Sequence, residues 1–469
     1  MTTVQEILER IERERVRIVH VRFTDLAGRW RHTAIDAASV DEVVLTNGLF
    51  IDGSAVPGWR DVTEADLLLR PDLSTAFLDP FTAQPTLVLL ADASDPATGL
   101  GYERDPRAIA RRAVEHLRRT GIADTAFFAP EIAFFVFDDV IVEQEPTRLG
   151  FRLEATENRA ASARSYATGN TGHRPAPDAG YLAMPPADHL LDLRAEIATI
   201  LGQLGFGRIQ HRHARATSQC ELSIRHDDLV RTADRVQILK YVVHQVAASY
   251  GKTATFLPRP LFDEPGSHLH LNVSLWKDGR PLFAGQDYAD LSRLCLSFVA
   301  GILLHARALN AFTNPTTNSY RRLHPGGDEP TLLTYAAFNR SAAVRIPFAA
   351  GAENKRIELR FPDPTANPYL AFAAVLMAGL DGVRRGLEPG DALDRNVYDL
   401  PPAELAEVPR AARDLEEALA ALEADHGFLL EGDVFPADLI AAYIAVKRRE
   451  IERIARMPHP LEFALYFGL

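Results

Sequence analysis

The N-terminal part of the chain mixes helical and strand-like spacings of apolar positions. Apolar residues recur every three or four positions over Thr3–Arg13, which predicts an amphipathic helix. Strict alternation over Val19–Phe23, followed by a glycine-containing turn that leads into Trp30–Ile35, predicts a β-hairpin. We also predict a second short helix over Asp36–Leu45 and a buried strand over Thr86–Ala91. These elements predict a small α+β unit.

The rest of the chain interleaves alternating strands with long amphipathic helices. The turn-rich segment Asp95–Gly99 is the best candidate for a linker. We therefore predict an α+β chain of two domains, residues 1–103 and residues 104–469. The aromatic tail Met457–Leu469 is predicted to be a strap that docks on another surface. Helices are predicted over Leu190–Leu204, Thr232–Tyr250, Asp290–Ala311, Pro368–Arg385, 414–423 and Pro436–Arg453.

Composition is that of an ordinary globular protein and excludes several functions. The 469 residues are 47% hydrophobic and 24% charged, which suffices for a large core. A net charge of -12 argues against binding to a nucleic-acid backbone. Apolar runs fall short of the roughly 20 residues that span a bilayer, and the start lacks a signal-peptide layout. Two cysteines cannot form a disulfide framework or a thiolate zinc site. We predict a cytoplasmic enzyme with no nucleic-acid or membrane partner.

Four predicted strands carry polar residues on one face. A solvated face of an antiparallel sheet is one explanation for each of them. These faces use Glu, His and Arg rather than Lys, Thr and Ser, which favours a functional site. Carboxylates with a histidine suit Mg or Mn, and arginines suit phosphate. The residues are Glu131 in 127–137; Gln219, Glu221, Ser223 and Arg225 in 219–225; His268, His270, Asn272 and Ser274 in 268–275; and Arg356, Glu358 and Arg360 in 356–361.

Two further segments bear on how the chain could bind phosphate. Val246 stands where the first glycine of a P-loop would precede Gly251-Lys252-Thr253, so the P-loop mode is excluded. The aperiodic segment Asn314–Pro330 carries two arginines and two carboxylates. Its length predicts a lid over a site, and a solvent-exposed loop is the alternative.

Long segments of the chain resemble, in order, the glutamine synthetase family. They include FIDGSAVPGWRDVTEADLLLRPD from Phe50, GKTATFLPRPLFDEPGSHLHLNVSL from Gly251, NPTTNSYRRLHPGGDEP from Asn314 and RIELRFPDPTANPYLAFAAVLMAGLDG from Arg356. The chain is most similar to the bacterial type with the NVYDLPP segment around Tyr398. The resemblance implies a small N-terminal β-grasp-like domain and a large catalytic domain whose antiparallel strands form a funnel. It also implies a homododecamer of two stacked hexameric rings, with active sites shared between neighbouring subunits.

The resemblance further implies an activity and its cofactors. Family enzymes use ATP and two Mg or Mn ions to phosphorylate the side-chain carboxylate of glutamate, and ammonia then displaces phosphate from the acyl phosphate. The metals and arginines neutralise charge on the transferred phosphoryl group. Carried over to this chain, Glu131, His270 and Glu358 bind the metal that holds the ATP phosphates.

The second metal site departs from the family pattern. Of the three glutamates that the resemblance implies, only Glu221 matches, because Ala133 and His213 stand at the other two positions. We therefore expect this site to be lost or rebuilt. In the rebuilt case His211, His213 or His268 takes the place of the missing carboxylates.

The remaining matched positions imply roles with the nucleotide, the acid and the ammonium ion. They are Arg340 and Arg345 for phosphate, Arg340 also as a catalytic group; Ser274 for the nucleotide; Arg322 and Arg360 for the substrate's carboxylates, with Gly266 beside the acid; Asp52 for the ammonium site of a neighbouring subunit; and Asp328, next to Glu329, for the flap carboxylate. Pro265 and Asn272 replace a family asparagine and histidine, so we expect altered recognition of the α-amino end. Tyr398 matches a tyrosine that some members adenylylate, and we expect a buried structural role for it.

Three hypotheses follow from this pattern. The first is an ATP-dependent ligase that joins a carboxylic acid to ammonia or an amine through an acyl phosphate, with an acid other than plain glutamate or a modified use of metal. The second is a catalytically impaired paralogue that binds nucleotide or co-assembles with an active homologue. The third, a metal-binding barrel unrelated to ligases, explains the His and Glu strands but neither the lid nor the arginines.

Overall fold

The computed structural model describes residues 2–159, 161, 170, 172–324 and 329–469. The N-terminal strands are β1 (Ile18–Thr24), β2 (Trp30–Asp36), β3 (Leu49–Asp52), β4 (Asp66–Leu78) and β5 (Thr86–Ser94), with helices α1 (Val4–Arg13) and α2 (Glu42–Asn47). They form a five-stranded sheet in the order β2-β1-β5-β4-β3. β1 is parallel to β5, and the other neighbours are antiparallel. The predicted hairpin is β1 with β2, and the predicted buried strand is β5.

The predicted second helix is wrong in one respect, because the segment Asp36–Leu45 is not one helix. A 3-10 turn over Ala37–Ser39 ends at Val40, whose backbone is extended (φ -88°, ψ 117°). Asp41 then starts α2 by accepting a hydrogen bond from the Val44 N–H, at 2.9 Å. An aspartate that caps a helix competes with continuation of the preceding turn, so the segment divides there.

The larger sheet has ten strands and holds the polar faces predicted from the sequence. Its strands are β6 (Thr125–Phe137), β9 (Ile209–His213), β10 (Gln219–Ile224), β11 (Asp227–Asp228), β12 (Thr253–Thr255), β13 (Leu269–Lys277), β14 (Arg280–Pro281), β15 (Tyr335–Ala337), β16 (Val344–Ile346) and β17 (Ile357–Leu359). The main path is β15-β16-β17-β13-β6-β10-β9. Its neighbours are antiparallel except for β15 and β16, which run parallel. A separate hairpin joins β7 (Asp139–Glu145) to β8 (Arg148–Glu154).

The remaining helices belong to the same part of the chain as the larger sheet. They are α3 (Pro106–Thr120), α4 (Leu191–Gln203), α5 (Leu229–Ser249), α6 (Arg293–Thr313), α7 (Ser319–Arg322), α8 (Pro368–Arg385), α9 (Pro402–Glu407), α10 (Leu415–Ala424), α11 (Gly427–Leu430), α12 (Ala437–Ala455) and α13 (Pro460–Tyr466). The long predicted helices are confirmed to within a few residues. Helix α8 lies in the core, where Phe372 stacks on Phe128 of β6 with ring centroids 5.2 Å apart.

Helices α6 and α8 approach each other closely through glycines. A Cβ at Gly301 would lie 2.1 Å from the carbonyl oxygen of Ala378, and one at Gly382 would lie 2.1 Å from that of Ser297. Only glycine allows this approach. Among the described residues, α6 alone is long and apolar enough to cross a membrane, and 78% of its most apolar stretch is buried inside the protein. It is therefore a core helix of this fold.

A buried arginine links elements within the fold, and the C-terminal tail is exposed. Arg107 on α3 bonds Asp92 of the N-terminal sheet at 2.8 Å and Asp234 of α5 at 2.9 Å. This buried guanidinium ties the N-terminal sheet to helix α5. In the tail, Phe463 is 56% and Phe467 80% exposed on the single chain.

Candidate active site

The strand registers bring the predicted polar residues onto one face of the larger sheet. Residues directly opposite each other in antiparallel neighbours share a face. They form three rows, which are Arg212, Glu221 and Ala133; Ser223, Glu131 and His270; and Asn272, Glu358 and Arg345. The alternation read from the sequence therefore identified the correct face on each strand. The opposite face carries the apolar core, so these side chains have nowhere else to point.

A cavity of about 590 Å³ opens over this face. Five of the residues predicted for the site line it, namely Glu221, Gly266, His270, Arg340 and Arg360. The other lining residues include Tyr181, Arg215, His268, Glu329 and Tyr398. Three arginines, Arg215, Arg340 and Arg360, lie in the wall, and their guanidinium groups suit an anionic ligand.

Glu131 lies beside the cavity and close to two other carboxylates. Burial raises the pKa of its carboxyl group, and so do the neighbouring charges of Glu221 and Glu358. His268 and Arg212 only partly offset these effects. Such a group gains most from a multivalent cation, because a cation relieves the desolvation and the repulsion together.

His270 is positioned to give a nitrogen to such a cation. Its Nδ1 lies 3.8 Å from Oε1 of Glu358. Among the described residues, its buried Nε2 has no hydrogen-bond partner. Burial lowers its pKa well below the usual value, with smaller contributions from His268 and Arg360, and these effects outweigh Glu329, whose Oε2 lies 3.7 Å from Nε2 and raises the pKa. A lowered pKa favours the neutral imidazole, which is the form that binds a metal ion.

These donors fit one hard divalent cation. The unpartnered nitrogen of His270 and the crowded carboxylates of Glu131 and Glu358 are the donor set that Mg or Mn takes. Ligand atoms of His268, His270 and Glu329 also lie within 4.8 Å of one another. Glu329 is thus a nearby carboxylate that we had placed only beside the flap position.

Glu358 is already held by two arginines. Its Oε2 accepts a hydrogen bond from Nη1 of Arg345 at 2.6 Å, and its Oε1 accepts one from Nη1 of Arg360 at 2.7 Å. The carboxylate therefore links the metal donors to the arginines predicted for phosphate and substrate. Through Glu358, the anion-binding and metal-binding parts of the site form one network.

Arg212 is the residue that our sequence analysis missed. Its Nη2 donates to Oε1 of Glu221 and lies 3.3 Å from Oε2 of Glu131. Although burial lowers the pKa of Arg212, the charges of Glu221 and Glu131 outweigh burial and raise it. The guanidinium face also lies 5.9 Å from the ring of Tyr181. The register of β9 could have revealed this residue, since Arg212 pairs directly with Glu221.

Of the three histidines considered as substitute ligands, only one faces Glu221. His213 and His211 pair with Cys220 and Leu222, on the apolar side of β10, so both point away from Glu221. His213 is buried instead against Glu157, with Nε2 2.9 Å from its carboxylate. Substitution by His211 or His213 is therefore wrong. His268 does face the site, with Nε2 3.5 Å from Oε2 of Glu221.

Arg322 is buried and has several partners. Its Nη1 donates to the carbonyl of Phe361 at 2.8 Å, and its Nη2 lies 2.9 Å from Oε2 of Glu329. Burial raises the pKa of Glu329, but Arg322 and His270 outweigh burial and hold it well below the usual value. Gly266 packs on this arginine, and a Cβ there would lie 2.5 Å from the carbonyl of Pro258. Asp328, our candidate flap carboxylate, lies outside the described residues.

The other candidates lie farther from the cavity or at its mouth. Ser274 shares the face but accepts a hydrogen bond from Nε1 of Trp276 at 3.2 Å. Asp52 is exposed on the N-terminal sheet and binds the Ser54 N–H at 2.9 Å. Tyr398 is 46% exposed and lines the cavity. Our expectation of a buried Tyr398 is wrong, because the 3-10 turn that carries it buries Val397 instead.

Comparisons with known proteins cover the whole chain. The model of the glutamine synthetase catalytic domain matches residues 103–466, and that of the glutamine synthetase beta-Grasp domain matches residues 15–96. The glutamine synthetase of Rhizobium meliloti (strain 1021) is 50% identical over 469 residues, and that of Salmonella typhimurium (strain LT2) is 46% identical over 468 residues, each covering 100% of both chains. A cryo-EM structure of Plasmodium falciparum glutamine synthetase matches with a TM-score of 0.90 at 28% identity over 99% of each chain. A complex of GmaS with ADP matches with a TM-score of 0.84 at 28% identity over 100% of each chain.

Proposed function

Because the chain belongs to the glutamine synthetase family, we propose that it is an ATP-dependent ligase that joins a carboxylic acid to ammonia or an amine through an acyl phosphate. The observation that carries this proposal is the network in which Glu358 joins His270 to Arg345 and Arg360, next to the cavity that His270, Arg340 and Arg360 line. The γ-phosphoryl group of ATP is transferred to the acid's carboxylate, and ADP leaves. The amine then attacks the acyl carbon, phosphate leaves, and the proton lost by the amine passes to phosphate or solvent.

The chain's own groups supply the binding and the charge neutralisation in these steps. Arg340 and Arg360 line the cavity and offer planar donors to phosphate or carboxylate oxygens. Glu131, His270 and Glu358 would hold a divalent cation beside them. Bound there, Mg or Mn would offset negative charge on the transferred phosphoryl group.

We further propose that the acid is not plain glutamate and lacks an α-ammonium group. Glu221 and Glu329 are the carboxylates among the described lining residues. Glu221 is bonded to Arg212, and Glu329 lies 2.9 Å from Arg322. Both carboxylates are thus neutralised by permanent cations. Among the described lining residues, an α-ammonium group would meet no carboxylate that lacks a cationic partner, so it would lose hydration without gaining a charged partner.

The contact between Arg212 and Glu131 favours a second candidate function. A guanidinium at 3.3 Å competes with a cation for one of the metal donors. A catalytically impaired paralogue that binds nucleotide, or that co-assembles with an active homologue, would tolerate such competition.

Release of phosphate from ATP separates these functions. The purified protein is assayed with Mg and ATP against a panel of dicarboxylic acids and amino acids, each with ammonia or a primary amine, and the amide is identified by mass spectrometry. We expect release that requires both acid and amine, fastest with an acid that lacks the α-ammonium group. Nucleotide binding without acid-dependent release across the panel would overturn the ligase in favour of the impaired paralogue. Fastest turnover with glutamate and ammonia would overturn the proposed acid.

The same family membership supports proposals on assembly and location. We propose a homododecamer of two stacked hexameric rings in the cytoplasm, in which Asp52 reaches the cavity of a neighbouring subunit. The exposure of Asp52 and of the aromatic tail on the single chain supports this arrangement. We also propose residues 1–103 and 104–469 as the two domains. Sedimentation of twelve chains as one particle is the expected result, and a monomer would contradict it.

A further inference from the structure

We propose that Arg212 is a built-in cation that occupies the place of a second divalent ion, so that each chain binds one divalent ion rather than two. This proposal rests on the proposed function, because it concerns metal binding at the same cavity. It is tested by counting bound metal without turnover. A failure of this inference is therefore distinguishable from a failure of the ligase proposal.

The sheet geometry brings the guanidinium to this place. Arg212, Glu221 and Ala133 form one row across β9, β10 and β6. The Arg212 side chain is 19% exposed, and that of Glu221 is 5% exposed. The guanidinium therefore meets Glu221 in a largely dry environment, where charges interact strongly.

With Arg212 in place, the donors that the described residues offer around Glu221 do not fit a second divalent ion. Such an ion needs several oxygen ligands that carry negative charge. Ala133 contributes none, and Glu221 already gives an oxygen to Arg212. The small side chain of Ala133 also leaves room for His268, whose Nε2 lies 3.5 Å from Glu221. A second metal would have to displace the guanidinium and would then lie against its positive charge.

Arg212 also supplies the positive charge that a metal ion would otherwise supply to the two carboxylates. It lies between Glu221 and Glu131, whose like charges repel each other. Its planar group has enough donors to contact both carboxylates at once. The Tyr181 ring lies 5.9 Å from the centre of the guanidinium. A covalently attached cation keeps the two carboxylates together at any metal concentration.

Counting manganese tests this inference. Free Mn²⁺ is measured by electron paramagnetic resonance during titration of the full-length protein with a saturating non-hydrolysable ATP analogue. We expect one bound Mn²⁺ per chain in the wild type and two in Arg212→Ala, in which Glu221 and Glu131 are released. Arg212→Lys keeps the charge and serves as the matched control, for which we expect one.

Two outcomes would overturn the inference. A wild-type count of two, or of none, would contradict the single-ion site. A count of one in a folded Arg212→Ala variant would show that the guanidinium does not exclude the second ion. Should that variant fail to fold, the wild-type count and the Arg212→Lys count decide between one ion and two.

Discussion

The Arg212→Ala substitution should make the stability of the protein depend strongly on manganese. In the wild type the guanidinium bonds Glu221, whose side chain is 5% exposed. Removal of one partner from a buried ion pair costs about 3–5 kcal/mol. His268 lies 3.5 Å from Glu221 and remains a polar neighbour of the carboxylate. We therefore expect a loss of about 2–3 kcal/mol in the absence of metal, below the full cost of an abandoned buried charge.

Manganese should restore that loss. An ion that binds only the folded state stabilises it by about 2.7 kcal/mol at one hundred times its Kd. The variant gains this contribution twice, once at His270 and once at the carboxylates that Arg212 released, whereas the wild type gains it once. Thermal unfolding with and without saturating Mn²⁺ measures the difference, with Arg212→Lys as the control that keeps the charge. Equal manganese-induced shifts of Tm in wild type and Arg212→Ala would refute the reasoning.

Three further substitutions test other parts of the structure. Glu131→Gln removes a charged metal donor, so the Mg-dependent affinity for ATP, measured by calorimetry, should fall about tenfold or more, corresponding to about 1.4 kcal/mol or more; unchanged affinity would contradict the site. Arg107→Met leaves the buried carboxylate of Asp234 without its cationic partner and should destabilise the fold by about 3–5 kcal/mol in denaturant titrations, whereas a loss within error would disprove the link between the N-terminal sheet and helix α5. Burial lowers the pKa of His305, but hydrogen bonds to two aspartates outweigh burial and raise it. The stabilisation of the folded state by protonated His305 is thus complete below the unfolded pKa of about 6.5, and it is lost as pH rises through the folded pKa. Tm of the wild type should fall over that range relative to His305→Gln, and parallel curves would exclude this role.

The strands of the site could be predicted from the sequence because alternation alone decides which side chains share a face. Glu131, His270 and Glu358 each stand in a strand whose other face is apolar, and the registers place them in neighbouring rows. The same rule could have excluded His213, which alternates with Arg212 and so faces the core. The family pattern drew attention to His213 as an aligned position, although its side chain points the other way.

The role of Arg212 could not be predicted from local pattern. Its contacts depend on the pairing of β9 with β10 and on the absence of a side chain beyond Cβ at Ala133. These are relations between strands distant in sequence, so no single window contains them. The break in the predicted helix Asp36–Leu45 has a local cause instead. Asp41 caps the start of α2 and so interrupts a segment whose apolar spacing is helical.

The most direct test of the proposed function compares two acids that differ only in the α-ammonium group, namely glutamate and glutarate. Each is supplied with ATP, Mg and ammonia, and initial rates of phosphate release are measured at equal, subsaturating concentrations. Because Arg212 and Arg322 already neutralise the cavity carboxylates, we predict faster release with glutarate. Faster release with glutamate would contradict the account.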